Sequence, residues 1–120
     1  MPQTQRQIFL NVNGTSPRGA GFAPVFEVNY NWPAINRDSV VIVTASECHL
    51  NEETQSYTRF VGDARIWVSN IAPHGPPETS DGGVTFNIVI EWYAQPKINI
   101  CVDITVMDDL PLSTSVERVG

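Results

Sequence analysis

Val84-Thr85-Phe86-Asn87-Ile88-Val89-Ile90-Glu91-Trp92 and, after a short gap, Lys97-Ile98-Asn99-Ile100-Cys101-Val102-Asp103-Ile104-Thr105-Val106-Met107 alternate apolar and polar residues over most of their length. Successive side chains of an extended strand point to opposite faces, so a period of two marks a strand with one face buried. The first stretch turns Val84, Phe86, Ile88 and Ile90 inward and leaves Thr85, Asn87 and Glu91 outside. The second turns Ile98, Ile100, Val102, Ile104 and Val106 inward, with Asn99, Cys101, Asp103 and Thr105 opposite. Each such strand has one apolar face to bury in a core.

Four earlier segments follow the same pattern. Gln7 to Val12 runs into Asn13-Gly14-Thr15-Ser16-Pro17, a cluster of turn formers. Pro24 to Tyr30 sets Val25, Glu27 and Asn29 against Phe26, Val28 and Tyr30, and is broken at Trp32-Pro33 because proline has no N–H for the ladder. Ser39 to Leu50 opens on the continuous run Val40-Val41-Ile42-Val43, the pattern of a strand covered on both faces, as in a central or interface position. A polar loop, Asn51 to Ser56, leads to Tyr57–Ile71, which places Phe60, Gly62, Ala64, Ile66 and Val68 on one face and Arg59, Asp63, Arg65, Trp67 and Ser69 on the other. Ala72 to Gly83, rich in proline and glycine, reads as a long loop that excludes a strand. No stretch reads as a helix. The pattern predicts an all-β chain: one domain over 1–120, a six-stranded antiparallel β-sandwich with its core at about 7–107 and a flexible polar tail from 108 to 120.

Composition narrows the function. Thirteen acidic residues against seven Lys and Arg give a net charge of −6, and no segment gathers basic residues into a stripe that would neutralise phosphates. Nucleic acid is therefore not expected as a partner. No apolar run approaches the roughly 18 residues of a membrane-spanning helix, so no membrane insertion is expected and the chain reads as soluble. MPQTQRQIFL lacks the apolar core of a secretory signal, which points to a cytoplasmic or non-classically secreted protein. Two cysteines, Cys48 and Cys101, do not make a disulfide framework, and free thiols are expected.

Catalytic signatures are missing: there is no phosphate-binding glycine loop, no nucleophile elbow and no dinucleotide fingerprint. Glu47-Cys48-His49 combines a good thiolate and a good imidazole ligand, but neighbouring strand residues point apart and do not converge on one metal or substrate. Glu91 and Asp103 are outward carboxylates of the kind a glycosidase pairs across a cleft, and an acidic surface accounts for them without catalysis. Asp81-Gly82-Gly83 and Asp108-Asp109 lack the spacing of a calcium loop. The chain is expected to be neither an enzyme nor a carrier of a metal or cofactor. What remains is Arg59, Asp63, Arg65 and Trp67 on one strand face, with Trp92, Tyr93 and Gln95 where the fifth segment turns into the sixth. Planar hydrogen-bonding groups beside aromatic rings suit a sugar, whose hydroxyls need partners and whose apolar face packs on a ring.

In order, the chain carries the strand Val40–Val43, a polar loop, an Arg-bearing strand ending at Asn70-Ile71, the start Gly83-Val84, a closing Trp92 and a last alternating strand; Phe26 to Pro33 adds an aromatic strand before a proline. Over roughly Phe26 to Asp108 this resembles the H-type lectin domain of snail agglutinins and slime-mould discoidins. The resemblance implies a six-stranded antiparallel sandwich that forms trimers or hexamers and binds glycans of the galactose or N-acetylgalactosamine type at subunit boundaries. It places the family's sugar-binding Arg on Arg59 or, with the following strand aligned without a gap, gives its place to Asp63, and it sets Trp92 and Tyr93 at the aromatic contacts. With Arg65 from the same polar face, Arg59, Asp63, Trp92 and Tyr93 form the expected carbohydrate site. The chain departs from the family in three places: Asn13 to Gly21 holds no acidic residue for the family's Asp, Ile98 stands where the family has Tyr, and Trp92 shares the parity of inward Val84. The loop 72–83 is larger than the family's, and forms part of an altered pocket or caps one end of the sandwich. The alternative from another class is a non-catalytic assembly module whose strands, with Trp67 and Val40–Val43, build subunit interfaces without sugar.

Overall fold

The computed structural model describes residues 1–12, 25–91, 97–108 and 112–120. Among these residues there are seven strands and no helix: β1 (Gln3–Val12), β2 (Val25–Asn31), β3 (Val41–Asn51), β4 (Ser56–Phe60), β5 (Arg65–His74), β6 (Gly83–Glu91) and β7 (Ile98–Val106). They form two antiparallel sheets, one ordered β1-β7-β3-β4 and the other β2-β6-β5. The two alternating stretches that decide the fold lie inside different sheets: β7 pairs with β1 and β3, and β6 pairs with β2 and β5.

Alternation dictates the core. Val84, Phe86, Ile88 and Ile90 from β6 face Ile98, Ile100, Val102, Ile104 and Val106 from β7 in a single buried cluster, joined by Val28 and Val43. Each large aliphatic or aromatic side chain taken from water there contributes roughly 1.5–3 kcal/mol. Trp32 and Ile35, in the segment after β2, extend the cluster. Tyr30 donates a hydrogen bond to Gln5 Oε1, linking β2 to β1 across the two sheets.

The structure revises the strand count from six to seven, because Tyr57–Ile71 is two strands and not one. β4 ends at Phe60 on the four-stranded sheet; the chain then crosses, and β5 starts at Arg65 on the three-stranded sheet. Gly62 shares the parity of Phe60, Ala64, Ile66 and Val68, which is why periodicity alone hides the crossing. A Cβ on Gly62 would fall 1.6 Å from Glu47 Oε2, so glycine lets the connection pass over that carboxylate without displacing it. β5 also runs further than expected: Ala72, Pro73 and His74 pair with Thr85, Val84 and Gly83 after a register shift, which shortens the loop to 75–82. β5 is an edge strand, where a proline without an N–H is tolerated.

Two further expectations change. The run Val40–Val43 supplies a strand in the interior of its sheet, but Val43 is buried whereas Val40 and Ile42 are exposed, so the described residues leave its outer face uncovered. Cys101 lies on the outer face of β7 and is nevertheless fully buried. Residues 112–120 are exposed and carry no regular structure, while Asp108, where the tail begins, pairs with the Met1 ammonium. No helix among the described residues is long and apolar enough to cross a membrane.

Candidate functional site

On the outer face of the four-stranded sheet, register aligns Arg6 with Asp103 and Thr44, Ile8 with Cys101 and Ser46, and Asn99 with Cys48 and Arg59. Asp103 is the hub. Its carboxylate accepts from Arg6 Nε at 2.6 Å and Nη2 at 2.9 Å, and from Arg59 Nη1 at 2.6 Å. Arg59 also donates to Ser46 Oγ at 2.6 Å and to Thr44 Oγ1 at 3.2 Å. Hydrogen bonding from Arg6 holds the Asp103 carboxyl below its ordinary value, with Arg59 adding to the effect and partial burial opposing it. The same bond raises the affinity of the Arg6 guanidinium for its proton. Burial pushes both thiols upward, Cys48 further raised by Cys101 and Cys101 by Asp103. Both cysteines are free.

The expected sugar residues divide between two places. Arg59 sits on β4 and Arg65 on β5, so they do not share a strand or a sheet, and the single face drawn through Arg59, Asp63, Arg65 and Trp67 is corrected on that ground. Three of Arg59's donor bonds run into the sheet. Asp63 is exposed on the connection between the sheets. Arg65 is exposed at the start of β5, opposite Glu91, with Nη1 3.7 Å from Glu91 Oε2. Trp67 follows on the same outward face, 43% exposed, paired with Val89 and flanked by Arg65 and Ser69. Trp92, Tyr93 and Gln95 lie outside the described residues. They follow Glu91 in the chain, and Glu91 ends β6 opposite Arg65. Asp63 and Arg65 therefore lie at the Glu91 end of the three-stranded sheet, and the Arg59 guanidinium, bonded on the other sheet, does not join them.

The far end of β5 and β6 carries a second polar assembly. His74 Nδ1 lies 2.9 Å from the Asp81 carbonyl oxygen and Nε2 2.8 Å from Asn29 Oδ1, which also accepts from Thr85 Oγ1 at 3.1 Å. Beside it a cleft of about 440 Å³ opens between Asn31 and Pro33 on one wall and Pro76, Ser80, Asp81 and Gly82 on the other.

The remaining candidates are placed as follows. Cys48 faces outward beside Arg59, while His49 stands against Phe60 with ring centroids 5.2 Å apart on the other face. Glu91 and Asp103 belong to different sheets and point to opposite outer faces. Among the described residues no group of three or more His, Cys, Asp or Glu is placed to hold a metal ion. Two features escaped sequence reasoning. Arg6 meets Asp103 across 97 positions of sequence, a partnership no local pattern announces. Glu47 is only 7% exposed and receives the Ala64 N–H at 3.4 Å; its charge type argued for the surface.

The fold and these faces define a class: a two-sheet antiparallel protein with one outer face closed by ion pairing and the other open, polar and aromatic. Comparison with protein-family models, curated proteins and solved structures gives no match.

Proposed function

We propose that this chain is a non-enzymatic, carbohydrate-binding protein of the lectin type, with its glycan contact at the end of the three-stranded sheet formed by Asp63, Arg65 and Trp67. The carrying observation is Trp67: a large ring standing outward on a sheet face, between Arg65 and Ser69 and near Glu91, where a ring and hydrogen-bonding groups meet one ligand. A sugar packs its C–H face on such a ring and shares its hydroxyls among the planar groups. The ligand class is galactose- or N-acetylgalactosamine-type, and weak single sites gain avidity through a homo-oligomer, a trimer or hexamer. In this reading Arg59 supports the fold and does not touch the sugar.

A second reading is favoured by the opposite face. Val40, Ile42 and Leu50 are each more than 40% exposed beside the Arg6–Asp103–Arg59 cluster, and exposed apolar residues grouped around satisfied charges suit contact with another subunit. On that reading the chain is an assembly module without sugar. A glycan array on protein of known mass in light scattering separates the two. Binding lost in Trp67→Ala and Arg65→Ala, with the oligomer intact, supports the lectin. A clean oligomer with an empty array overturns it in favour of assembly.

A further inference from the structure

The cleft at the far end of the three-stranded sheet is built from a loop held firmly in place. Trp32 N–H donates to Gly82 O at 2.8 Å, and the Arg37 guanidinium holds Glu78 at 3.1 Å. A Cβ on Gly82 would fall 2.1 Å from Ile35 O, and one on Gly83 would fall 2.4 Å from Tyr30 O, so both walls touch through bare backbone. His74 fastens the loop at the Asp81 carbonyl, which also accepts from Thr79 Oγ1 at 3.1 Å. Ordering a loop costs conformational entropy, and a loop already ordered presents its side chains to a ligand without that cost.

The lining then selects the ligand. Among the described residues the Asp81 carboxylate and the Ser80 hydroxyl have no protein partner, so their hydrogen-bonding capacity faces solvent. Asn31 adds an amide whose oxygen accepts from Asn29 Nδ2 at 3.4 Å. Pro33 and Pro76 add apolar ring surface. One carboxylate supplies too few ligands for a divalent cation. It repels an anion, and a wholly apolar guest would strip water from Asp81 and Ser80 without replacing its hydrogen bonds. A neutral polyhydroxylated ring with an apolar face satisfies all of these groups together, and about 440 Å³ lies within the usual range of roughly 300–1,000 Å³ for small-ligand sites.

We propose that this cleft binds the ring of a neutral saccharide, Asp81 and Asn31 taking its hydroxyls and Pro33 and Pro76 its apolar face. This goes beyond the glycan contact argued above, since it adds a second site to each chain at the opposite end of the same sheet. Two sites per chain let a single copy bridge two glycans.

The test is an amide NMR titration of the full-length ¹⁵N-labelled protein with methyl α-galactoside, N-acetylgalactosamine and methyl α-glucoside, each run again on Asp81→Asn. Calcium chloride forms a separate arm. That substitution is isosteric, and the Asp81 carboxylate makes no bond to the described residues, so the variant keeps the native spectrum. The expected result is saturable shifts at Asn31, Ser80, Asp81 and Gly82 with at least one sugar, with affinity reduced about tenfold in Asp81→Asn. Sugar shifts confined to Asp63, Arg65 and Trp67 overturn the second site and leave the first standing. Absence of sugar shifts anywhere removes both. Equal affinity in Asp81→Asn, or saturation by calcium and not by sugar, also overturns the proposal.

Discussion

The two outer faces of the sandwich are made from the same residue types and behave differently. On the four-stranded sheet two arginines converge on one aspartate, and hydroxyls of Thr44 and Ser46 take up further guanidinium donors. On the three-stranded sheet Arg65 stands 80% exposed, 3.7 Å from Glu91, with Trp67 open beside it. The difference arises from position in the sheet. Asp103 lies on β7, an interior strand with neighbours on both sides, so partners reach it from β1 and from beyond β3; Arg65 opens an edge strand with one neighbour among the described residues. Charge on a strand face therefore says little about ligand binding until register shows how much of it the fold has already used.

The largest expected effect of breaking this contrast is at Asp103. Asp103→Ala leaves two guanidiniums, one of them mostly covered, without their carboxylate, and should cost about 2–3 kcal/mol in urea unfolding. The cost should depend on pH in a definite direction. The folded-state pKa of Asp103 is lowered, so its stabilisation is fully present above the unfolded value near 3.9 and is lost as pH falls through the lower folded value. The gap between parent and variant should thus be constant from pH 7 down to about 5 and shrink below about pH 4. A gap unchanged at pH 2 would mean that Asp103 acts by packing and not by charge.

A smaller effect concerns the thiols beneath this cluster. Cys48 and Cys101 are buried and their pKa values are raised, chiefly by burial, so the native state keeps them protonated where an unfolded chain begins to ionise. With folded values above the unfolded one, the associated stability is present below about pH 8.5 and declines as pH rises through the folded values. A disulfide reagent at pH 8 should titrate two thiols in denaturant and react with the native protein only at the rate of opening. Rapid native reaction at both would break the picture of a closed face.

The core was legible because it depends on a local property: inward and outward residues of β6 and β7 are those their alternation dictates, and Phe86, Ile88, Ile100 and Ile104 are fully buried as that alternation requires. The crossing between β4 and β5 was not legible, because Phe60, Gly62, Ala64 and Ile66 keep one parity while the chain changes sheet. Nor was the use made of Arg59, since its partners Thr44, Ser46 and Asp103 are brought to it by register with two other strands. Pro73 misled for a related reason: proline excludes an interior strand, and only the sheet order shows β5 to be an edge. Sequence thus shows which face a residue takes, and pairing shows what the residue meets there.

The smallest effect is the sharpest test of the open face. Arg65 and Glu91 sit opposite each other across β5 and β6, yet at 3.7 Å, with Arg65 largely in water, solvent screening leaves the pair a coupling of about 0.5 kcal/mol or less in a double-mutant cycle. Arg65→Ala alone should therefore leave urea stability nearly unchanged, while a glycan that uses the Arg65 donors loses affinity. The corresponding cycle between Arg6 and Asp103 should return a coupling several times larger, because two short bonds join a carboxylate that is mostly covered. If both cycles gave the same coupling, edge and interior positions would not differ as argued, and Arg65 would belong to the scaffold. With the coupling small and glycan binding lost, Arg65 is held by the fold only at its backbone, leaving its side chain free to meet a ligand.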